Sequence, residues 1–208
     1  MNKNKLKLIK NAVFLLALLP LVRLIILAVQ DDLSANPIEF IERSTGTWAL
    51  VYLLITLSVT PMKQLWNIAW VIALRRMLGL WMFFYACLHI VTYVWLDYSF
   101  SWVDISKDII KHPFVLVGFA AFVLTVPLAV TSNNAMINKL KSKWKKLHQL
   151  VYVIAILGVI HFWWLVKKDI TEPALYAFAL TLLLSFRINA VWMARKKTQV
   201  YSTQVRSS

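Results

Sequence analysis

The feature that most constrains this chain is a series of apolar stretches suited to crossing a bilayer. A helix needs about 20 mostly apolar residues to span the roughly 30 Å hydrocarbon layer. With 60% hydrophobic residues and a mean hydropathy of +0.66, the 208-residue chain is too apolar for an ordinary soluble domain. We therefore predict an all-α integral membrane protein, a six-transmembrane-helix bundle that forms one domain over residues 1–208. The predicted helices are 11–29, 47–60, 77–96, 114–130, 147–166 and 174–193.

Two apolar segments each need a separate assignment. The opening segment 1–28 has the basic head of a signal peptide, but its apolar body is long and no small-residue cleavage site follows, so we expect a retained first helix. The stretch 65–74 (LWNIAWVIAL) is short and carries two tryptophans, which favours a helix lying in the membrane interface. No internal repeat is evident. Residues expected at helix ends are Gly46, Pro61, Pro113 and Pro173.

The distribution of charge predicts the orientation of the bundle. If the N-terminus is cytoplasmic, all nine acidic residues fall in outer segments. The positive-inside rule then places both termini in the cytoplasm. The net charge of +14 indicates topology and an affinity for anionic membrane lipid, and it does not indicate nucleic-acid binding. Basic residues of the inner segments are Lys3, Lys5, Lys7, Lys10, Lys63, Arg75, Arg76, Lys139, Lys141, Lys143, Lys145, Lys146, Arg195, Lys196, Lys197 and Arg206, whereas the outer segments hold only Arg43, Lys107, Lys111, Lys167 and Lys168.

Two histidines lie at the same predicted depth in the membrane. His89 is 13 residues beyond Arg76 and His161 is 15 beyond Lys146, which places them ~20 Å and ~22 Å along two helices that both run outward. Imidazole in hydrocarbon is costly and usually functional. Two imidazoles at one level can bind one haem b from opposite sides. The alternative is that each histidine only hydrogen-bonds a neighbouring helix.

The third membrane histidine does not complete a second pair. His148 lies two residues past Lys146, at the inner edge of its helix and ~20 Å from His161. An inner haem would need a partner at that level on the third helix, where Arg75 and Arg76 stand. The sequence therefore leaves open one haem or two, and it leaves His148 as a second ligand or as a contact to a flavin or quinone headgroup.

Arginines in or near the spans can pair with an anionic group or extend to the membrane surface. Arg23 is ~18 Å up the first helix, close to the level of the histidine pair; it either pairs with a haem propionate or reaches the outer surface. Arg187 is expected to reach the inner surface. Arg75 and Arg76 form a basic inner rim with the loop 138–146, which suits the phosphate of a flavin mononucleotide or of a lipid headgroup.

Three sequence blocks resemble one family over nearly the whole chain: ANPIEFIERSTGTWAL (35–50), LRRMLGLWMFFYACLHIVTYVWLD (74–97) and KKLHQLVYVIAILGVIHFWWLVK (145–167). They are similar to the MsrQ family of haem-binding membrane subunits, within the ferric-reductase-like transmembrane group. The resemblance implies haem b, bound FMN, and a place in the bacterial inner (plasma) membrane. It maps the family's haem histidines onto His89, His148 and His161.

The resemblance also implies partners. Electrons would come from the quinone pool, through a quinol or a cytoplasmic flavin reductase, and pass to a soluble periplasmic molybdopterin methionine sulfoxide reductase catalytic subunit that repairs oxidised proteins. Unlike ferric reductases and NADPH oxidases of the wider group, the chain lacks a second histidine on helix three and an appended nucleotide-binding domain. We expect an electron-transfer subunit without a substrate-reducing site of its own. The alternatives are a self-contained ferric reductase and a proton or ion transporter subunit that uses its membrane His and Arg residues.

Overall fold

The computed structural model describes residues 2–166 and 169–207, with side chains through residue 193 and for Lys196. Lys167 and Lys168, counted above as outer charges, lie outside the described residues, as do the side chains of Arg195, Lys197 and Arg206. Within the described part, six helices are long and apolar enough to cross a membrane. This confirms the prediction of an all-α, six-helix membrane bundle.

The described chain forms nine α-helices and two short segments of other helical types. The α-helices are α1 Lys3–Val29, α2 Pro37–Trp66, α3 Arg75–Thr92, α4 Trp102–Lys111, α5 Pro113–Val130, α6 Asn134–Leu140, α7 Ser142–Leu147, α8 Leu150–Leu165 and α9 Thr171–Ser207. A 3₁₀ helix, Ala69–Leu74, leads directly into α3, and a π-helical turn, Tyr93–Asp97, follows it. The six spans contain α1, α2, α3, α5, α8 and α9.

The second span begins ten residues earlier than predicted. The side chain of Asn36 accepts a hydrogen bond from the backbone N–H of Glu39 at 3.3 Å, and Pro37 occupies the first turn. Both features favour a helix start. Gly46 and Pro61 therefore lie inside α2, so the expectation that they mark helix ends was wrong. A proline is tolerated there because neighbouring helices stabilise the interrupted turn.

The stretch 65–74 is not a separate interfacial α-helix. α2 continues to Trp66, and Asn67 ends it in the left-handed conformation with φ 53°. Asparagine tolerates that conformation better than most residues. The chain then re-enters the bundle as the 3₁₀ helix, in which Val71 and Leu74 are buried. The segment thus packs into the bundle through the side chains of Val71 and Leu74.

Short helices at the two ends of the bundle were not predicted. The basic loop 138–146 belongs to α6 and α7, which are separated at Lys141, where φ is 49°. At the other end, α4 is strongly amphipathic and buries Ile105. We name the end that contains α4 and the acidic residues the acidic end, and the end that contains α6 and α7 the basic end.

Two pairs of antiparallel helices form the centre of the bundle. α2 packs along α3, and α5 packs along α8. The core between them contains Tyr85, which is 1% exposed, and Ala155, which is 0% exposed. The Tyr85 hydroxyl donates to the backbone carbonyl of Ala17 on α1 at 2.8 Å. This packing fixes α3 and α8, the helices that carry His89 and His161, in one rigid arrangement.

Candidate functional site

The imidazole rings of His89 and His161 lie next to each other near the acidic end. Their centroids are 6.2 Å apart and the ring planes are inclined by 72°. His89 is near the end of α3 and His161 is near the end of α8. Both side chains are half-buried. The structure therefore brings together the two histidines that helix counting placed at one depth.

Each histidine is oriented by a backbone carbonyl of a neighbouring helix. Nδ1 of His89 lies 3.0 Å from the carbonyl oxygen of Glu42 on α2. Nδ1 of His161 lies 2.7 Å from the carbonyl oxygen of Phe114 on α5. A carbonyl only accepts hydrogen bonds, so Nδ1 carries the proton in both rings. In the neutral imidazole this leaves the lone pair on Nε2 free to bind a metal.

Glycine makes room for each ring. A Cβ atom at Gly46 would lie 3.1 Å from the His89 ring, and one at Gly118 would lie 2.8 Å from the His161 ring. These glycines stand four residues after Glu42 and Phe114, so their N–H groups face the same two carbonyls in the helix. Each imidazole thus approaches the helix backbone where no side chain blocks it.

The two halves of this arrangement have the same spacing in the sequence. Each histidine follows its carbonyl partner by 47 residues. Adding 72 to the numbers of Glu42, Gly46 and His89 gives Phe114, Gly118 and His161. The helix pairs α2/α3 and α5/α8 therefore present equivalent half-sites to each other. The repeat is not evident in the sequence, because most other side chains differ between the two halves.

This donor set fits a haem. When one metal binds a nitrogen of each of two imidazoles on opposite sides, with bonds of about 2.0 Å, the ring centroids lie roughly 6 Å apart. The observed 6.2 Å agrees with that separation. Metal-binding histidines usually donate their other N–H to a carbonyl or carboxylate, as both rings do. No group of three or more His, Cys, Asp or Glu side chains suited to a metal occurs among the described residues, so a two-histidine site is the candidate that remains.

His148 belongs to a different place in the bundle. It lies between α7 and α8 at the basic end, and its ring stacks on Trp144 with centroids 3.9 Å apart. Nδ1 is 3.1 Å from the Trp144 carbonyl oxygen, and Nε2 is 3.4 Å from Oγ of Ser132. The 13 residues to His161 correspond to ~20 Å of helix. The structure therefore does not add His148 to the histidine pair.

The predicted arginines occupy both ends. Arg23 is exposed on α1, and no hydrogen bond or ion pair joins it to either histidine of the pair in the described part of the chain. Arg75 and Arg76 begin α3 at the basic end, where both are exposed. They lie on the same side of the bundle as α6 and α7, and their role in a basic rim stays a prediction.

A hydrogen-bonded carboxylate attaches α4 to the acidic end. Oδ2 of Asp108 accepts from the Tyr93 hydroxyl at 2.8 Å, and Oδ1 lies 2.8 Å from Nδ1 of His112. Burial raises the pKa of Asp108, but hydrogen bonds from Tyr93, His112 and Tyr98 outweigh it, so the net pKa is below the usual value. His112, which follows α4 directly, orients this carboxylate, and the bond from Tyr93 attaches α4 to the rest of the acidic end.

Comparison with known proteins assigns the family. Residues 44–159 match the family described as ferric reductase like transmembrane component. A relative from Herminiimonas arsenicoxydans, named protein-methionine-sulfoxide reductase heme-binding subunit MsrQ, is 49% identical, with 93% of this chain and 90% of the relative covered. The chain belongs to the MsrQ family. Two further relatives have the same name. The protein from Ralstonia nicotianae is 47% identical, with 92% of this chain and 90% of the relative covered, and the protein from Xanthomonas campestris pv. campestris is 51% identical, with 83% and 79% covered.

Family membership and the structure agree on a multi-pass membrane protein with a ferric-reductase-like transmembrane domain. The names of these MsrQ relatives describe them as heme-binding subunits of a reductase. The comparison with solved structures found no match.

Sequence reasoning identified the histidines but missed what orients them. Gly46 was expected only to mark a helix end, and Gly118 was not singled out. A signal was present, because each glycine precedes its histidine by 43 residues. That spacing acquires meaning only when the pairing of α2 with α3 and of α5 with α8 is known.

Proposed function

We propose that this MsrQ-family protein carries electrons across the bacterial inner membrane to a periplasmic molybdopterin methionine sulfoxide reductase. The observation that carries the proposal is the pair of imidazoles, His89 and His161, held 6.2 Å apart by two helix carbonyls. Relatives about half identical to this chain are named heme-binding subunits of protein-methionine-sulfoxide reductase, and this supports the same function.

In this proposal, Nε2 of His89 and Nε2 of His161 bind one haem b near the acidic end. When bound, the haem iron supplies one-electron redox chemistry. The carbonyls of Glu42 and Phe114 hold Nδ1–H of the two rings and so fix the direction of both lone pairs. Arg23, at the predicted depth of the pair on α1, is the proposed partner for a propionate.

The basic end is the proposed entry side for electrons. We place it in the cytoplasm, following the positive-inside rule. Arg75 and Arg76 are the proposed contacts for the phosphate of FMN, and a quinol or a cytoplasmic flavin reductase is the proposed donor. Both ring nitrogens of His148 already have partners within the chain, which favours a relay or positioning role at this end over axial ligation.

The acidic end is the proposed docking side for the soluble reductase. The acidic residues lie around the helix ends that surround the histidine pair, and most of them are exposed. Asp31, Asp32 and Asp104 are examples. Because the pair lies within two helical turns of this end, a docked partner would come close to His89 and His161 without entering the bundle.

The experiment uses the full chain in liposomes with a quinol inside the bilayer and the oxidised molybdoenzyme outside. Wild-type protein should reduce the partner, and His161→Ala should abolish this, because one of the two axial nitrogens is lost. Cys87→Ala is the control, since this free cysteine lies on the same helix as His89 and makes no hydrogen bond to either ring among the described residues.

Three results would contradict the proposal. Full electron delivery by His161→Ala would exclude the pair as the route. Efficient reduction of ferric chelates with the molybdoenzyme left oxidised would indicate a self-contained ferric reductase. A colourless protein that moves protons or ions would indicate a transporter.

A further inference from the structure

A cavity at the basic end lies apart from the histidine pair. It has a volume of about 380 Å³. Its lining consists of Gln149, which precedes α8, Tyr152 of α8, and Arg187, Ile188, Val191 and Trp192 of α9. A smaller adjoining cavity shares Tyr152 and Arg187 and extends to Arg75. The larger volume is within the range of small-molecule sites.

The polar lining of the cavity favours an anion. Arg187 and Arg75 only donate hydrogen bonds and carry permanent positive charge. The Tyr152 hydroxyl and the Gln149 amide add further donors. None of these four side chains is a base that could accept the protons that a quinol releases on oxidation. The lining therefore suits a negatively charged oxygen atom that accepts hydrogen bonds, and it suits quinol oxidation less well.

The chain itself supplies no carboxylate side chain to neutralise Arg187. All nine acidic residues lie at the acidic end. Glu172, on the same helix as Arg187, is 15 residues away, or ~22 Å along α9. In the described part of the chain, the ion pairs involve Arg43, Lys107 and His112, and neither Arg187 nor Arg75 takes part. An anion stabilises a half-buried arginine at the edge of a membrane span, and no carboxylate side chain of this chain lies close enough to supply it.

The depth of the cavity indicates where that anion resides. Arg187 lies 16 residues from Thr171, ~24 Å along α9, which is close to the far edge of the roughly 30 Å hydrocarbon layer. Trp192 is 54% exposed beside it, and Nζ of Lys196 lies 4.1 Å from the Trp192 ring centroid. Tryptophan with lysine is typical of the membrane interface, where phosphate groups lie.

We propose that this cavity, together with the smaller one beside it, binds the phosphate group of an amphiphilic molecule. Arg187, which lines both cavities, is the central contact, and Arg75, which lines the smaller one, is the second cation. The apolar side chains of Ile188 and Val191 face the remainder of that molecule. Two sources have this chemistry: an anionic phospholipid and the phosphate of FMN. The site is independent of haem binding; if its occupant is the flavin, it also locates the FMN of the proposed function.

The test measures phosphate binding by the full-length purified protein. One arm counts phosphatidylglycerol retained in native mass spectra after detergent washing. The other arm measures binding of FMN by equilibrium dialysis, with riboflavin, which lacks the phosphate, as the comparison. Arg187→Gln should weaken binding of the true ligand about tenfold or more, because a bidentate charge-assisted contact is lost. Lys63→Gln removes one exposed charge at the same end, outside both cavities, and should leave binding within about twofold of wild type.

Each outcome either identifies the ligand as lipid or flavin, or shows that the cavity does not bind phosphate. Loss of phosphatidylglycerol alone in Arg187→Gln assigns a lipid, and loss of FMN with little effect on riboflavin assigns the flavin. If neither ligand responds to Arg187→Gln, or if Lys63→Gln has the same effect, the cavity is not a phosphate site. The haem absorbance of each variant is recorded in parallel. Loss of phosphate binding by Arg187→Gln with its haem retained supports the site, and loss of both together shows a folding defect and contradicts the inference. A wild-type protein without haem contradicts only the electron-transfer proposal.

Discussion

The glycines beneath the two imidazoles explain how each ring reaches a helix carbonyl. Within a helix, replacing glycine by alanine normally stabilises the folded protein by roughly 1 kcal/mol. At Gly118 and Gly46 the new methyl group would meet a histidine ring at 2.8 Å and 3.1 Å. Helix propensity and site geometry therefore oppose each other at these two positions.

We predict that Gly118→Ala lowers haem occupancy about tenfold or more, because the Cβ displaces His161 from the Phe114 carbonyl. Loss of such orienting contacts typically weakens metal binding by about 10–100-fold. Gly46→Ala should have a smaller effect, since its contact is longer. Haem per protein, measured after titration of the purified variants with haem, checks both values.

Gly158→Ala is the matched control on the helix that carries His161. Its new Cβ would lie 3.7 Å from Cδ1 of Leu50, an ordinary contact distance, so haem occupancy should be unchanged. Equal loss of haem in Gly158→Ala and Gly118→Ala would show a general packing defect and contradict the positioning role.

At the scale of residues, the sequence predicted the depth of the membrane histidines and the distribution of charged side chains. It did not predict how the histidine rings are oriented. Counting along helices placed His89 and His161 at one level, and their rings lie 6.2 Å apart. Their role as ligands stays a prediction, as do the roles of His148, Arg23, Arg75 and Arg76. The carbonyl partners could not be read from the sequence, because a backbone group has no residue signature.

At the scale of elements, α4 depends on one carboxylate. Asp108 receives hydrogen bonds from Tyr93 and His112, and these hold its pKa below the usual value against the opposing effect of burial. A carboxyl whose pKa is lowered on folding stabilises the fold above its unfolded pKa of about 3.9. That stability is lost as the pH falls through the lower folded pKa.

We therefore predict that α4 remains attached from neutral pH down to about pH 4 and detaches below it. Asp108→Asn should remove the acid dependence and raise exchange of α4 backbone amides about tenfold at pH 7, since a hydrogen bond to a charged group is worth about 1.5–3 kcal/mol. Hydrogen exchange relative to intrinsic rates provides the measurement. Asp104→Asn, at an exposed residue of the same helix, is the control, and an equal effect of both variants would refute the role of Asp108.

The long spans were predictable, whereas the short helices were not. Continuous apolar length predicted all six spans, and Pro113 begins α5 as expected. The start of α2 was misplaced because polar residues such as Glu39 and Glu42 resemble a loop. They form a helix because Asn36 and Pro37 start it. α4, α6 and α7 fall below the length at which a hydropathy pattern is decisive.

At the scale of the whole molecule, the separation of charge predicts a docking direction. Replacing Asp31 and Asp32 together by Asn should slow reduction of the periplasmic partner about tenfold at low salt, because charge steering mainly affects association rates. The difference should shrink at high salt as the charges are screened. Stopped-flow rates at two salt concentrations test this.

Asparagine suits these positions, since Asp31 has φ 55° and asparagine tolerates that conformation. Lys5→Gln, an exposed change at the basic end, should not alter the rate. A salt-independent loss, or an equal loss in Lys5→Gln, would contradict docking at the acidic end.

The proposed electron transfer depends most on two imidazoles binding one haem iron near the acidic end. The most direct measurement is the reduced-minus-oxidised absorbance spectrum of the purified protein, with haem counted per chain. Wild type should give the sharp bands of a bis-histidine haem b, and His89→Ala and His161→Ala should each lose the haem of this site, whereas His112→Gln should keep it. Retention of the full wild-type spectrum and haem count in His89→Ala or His161→Ala would contradict the account.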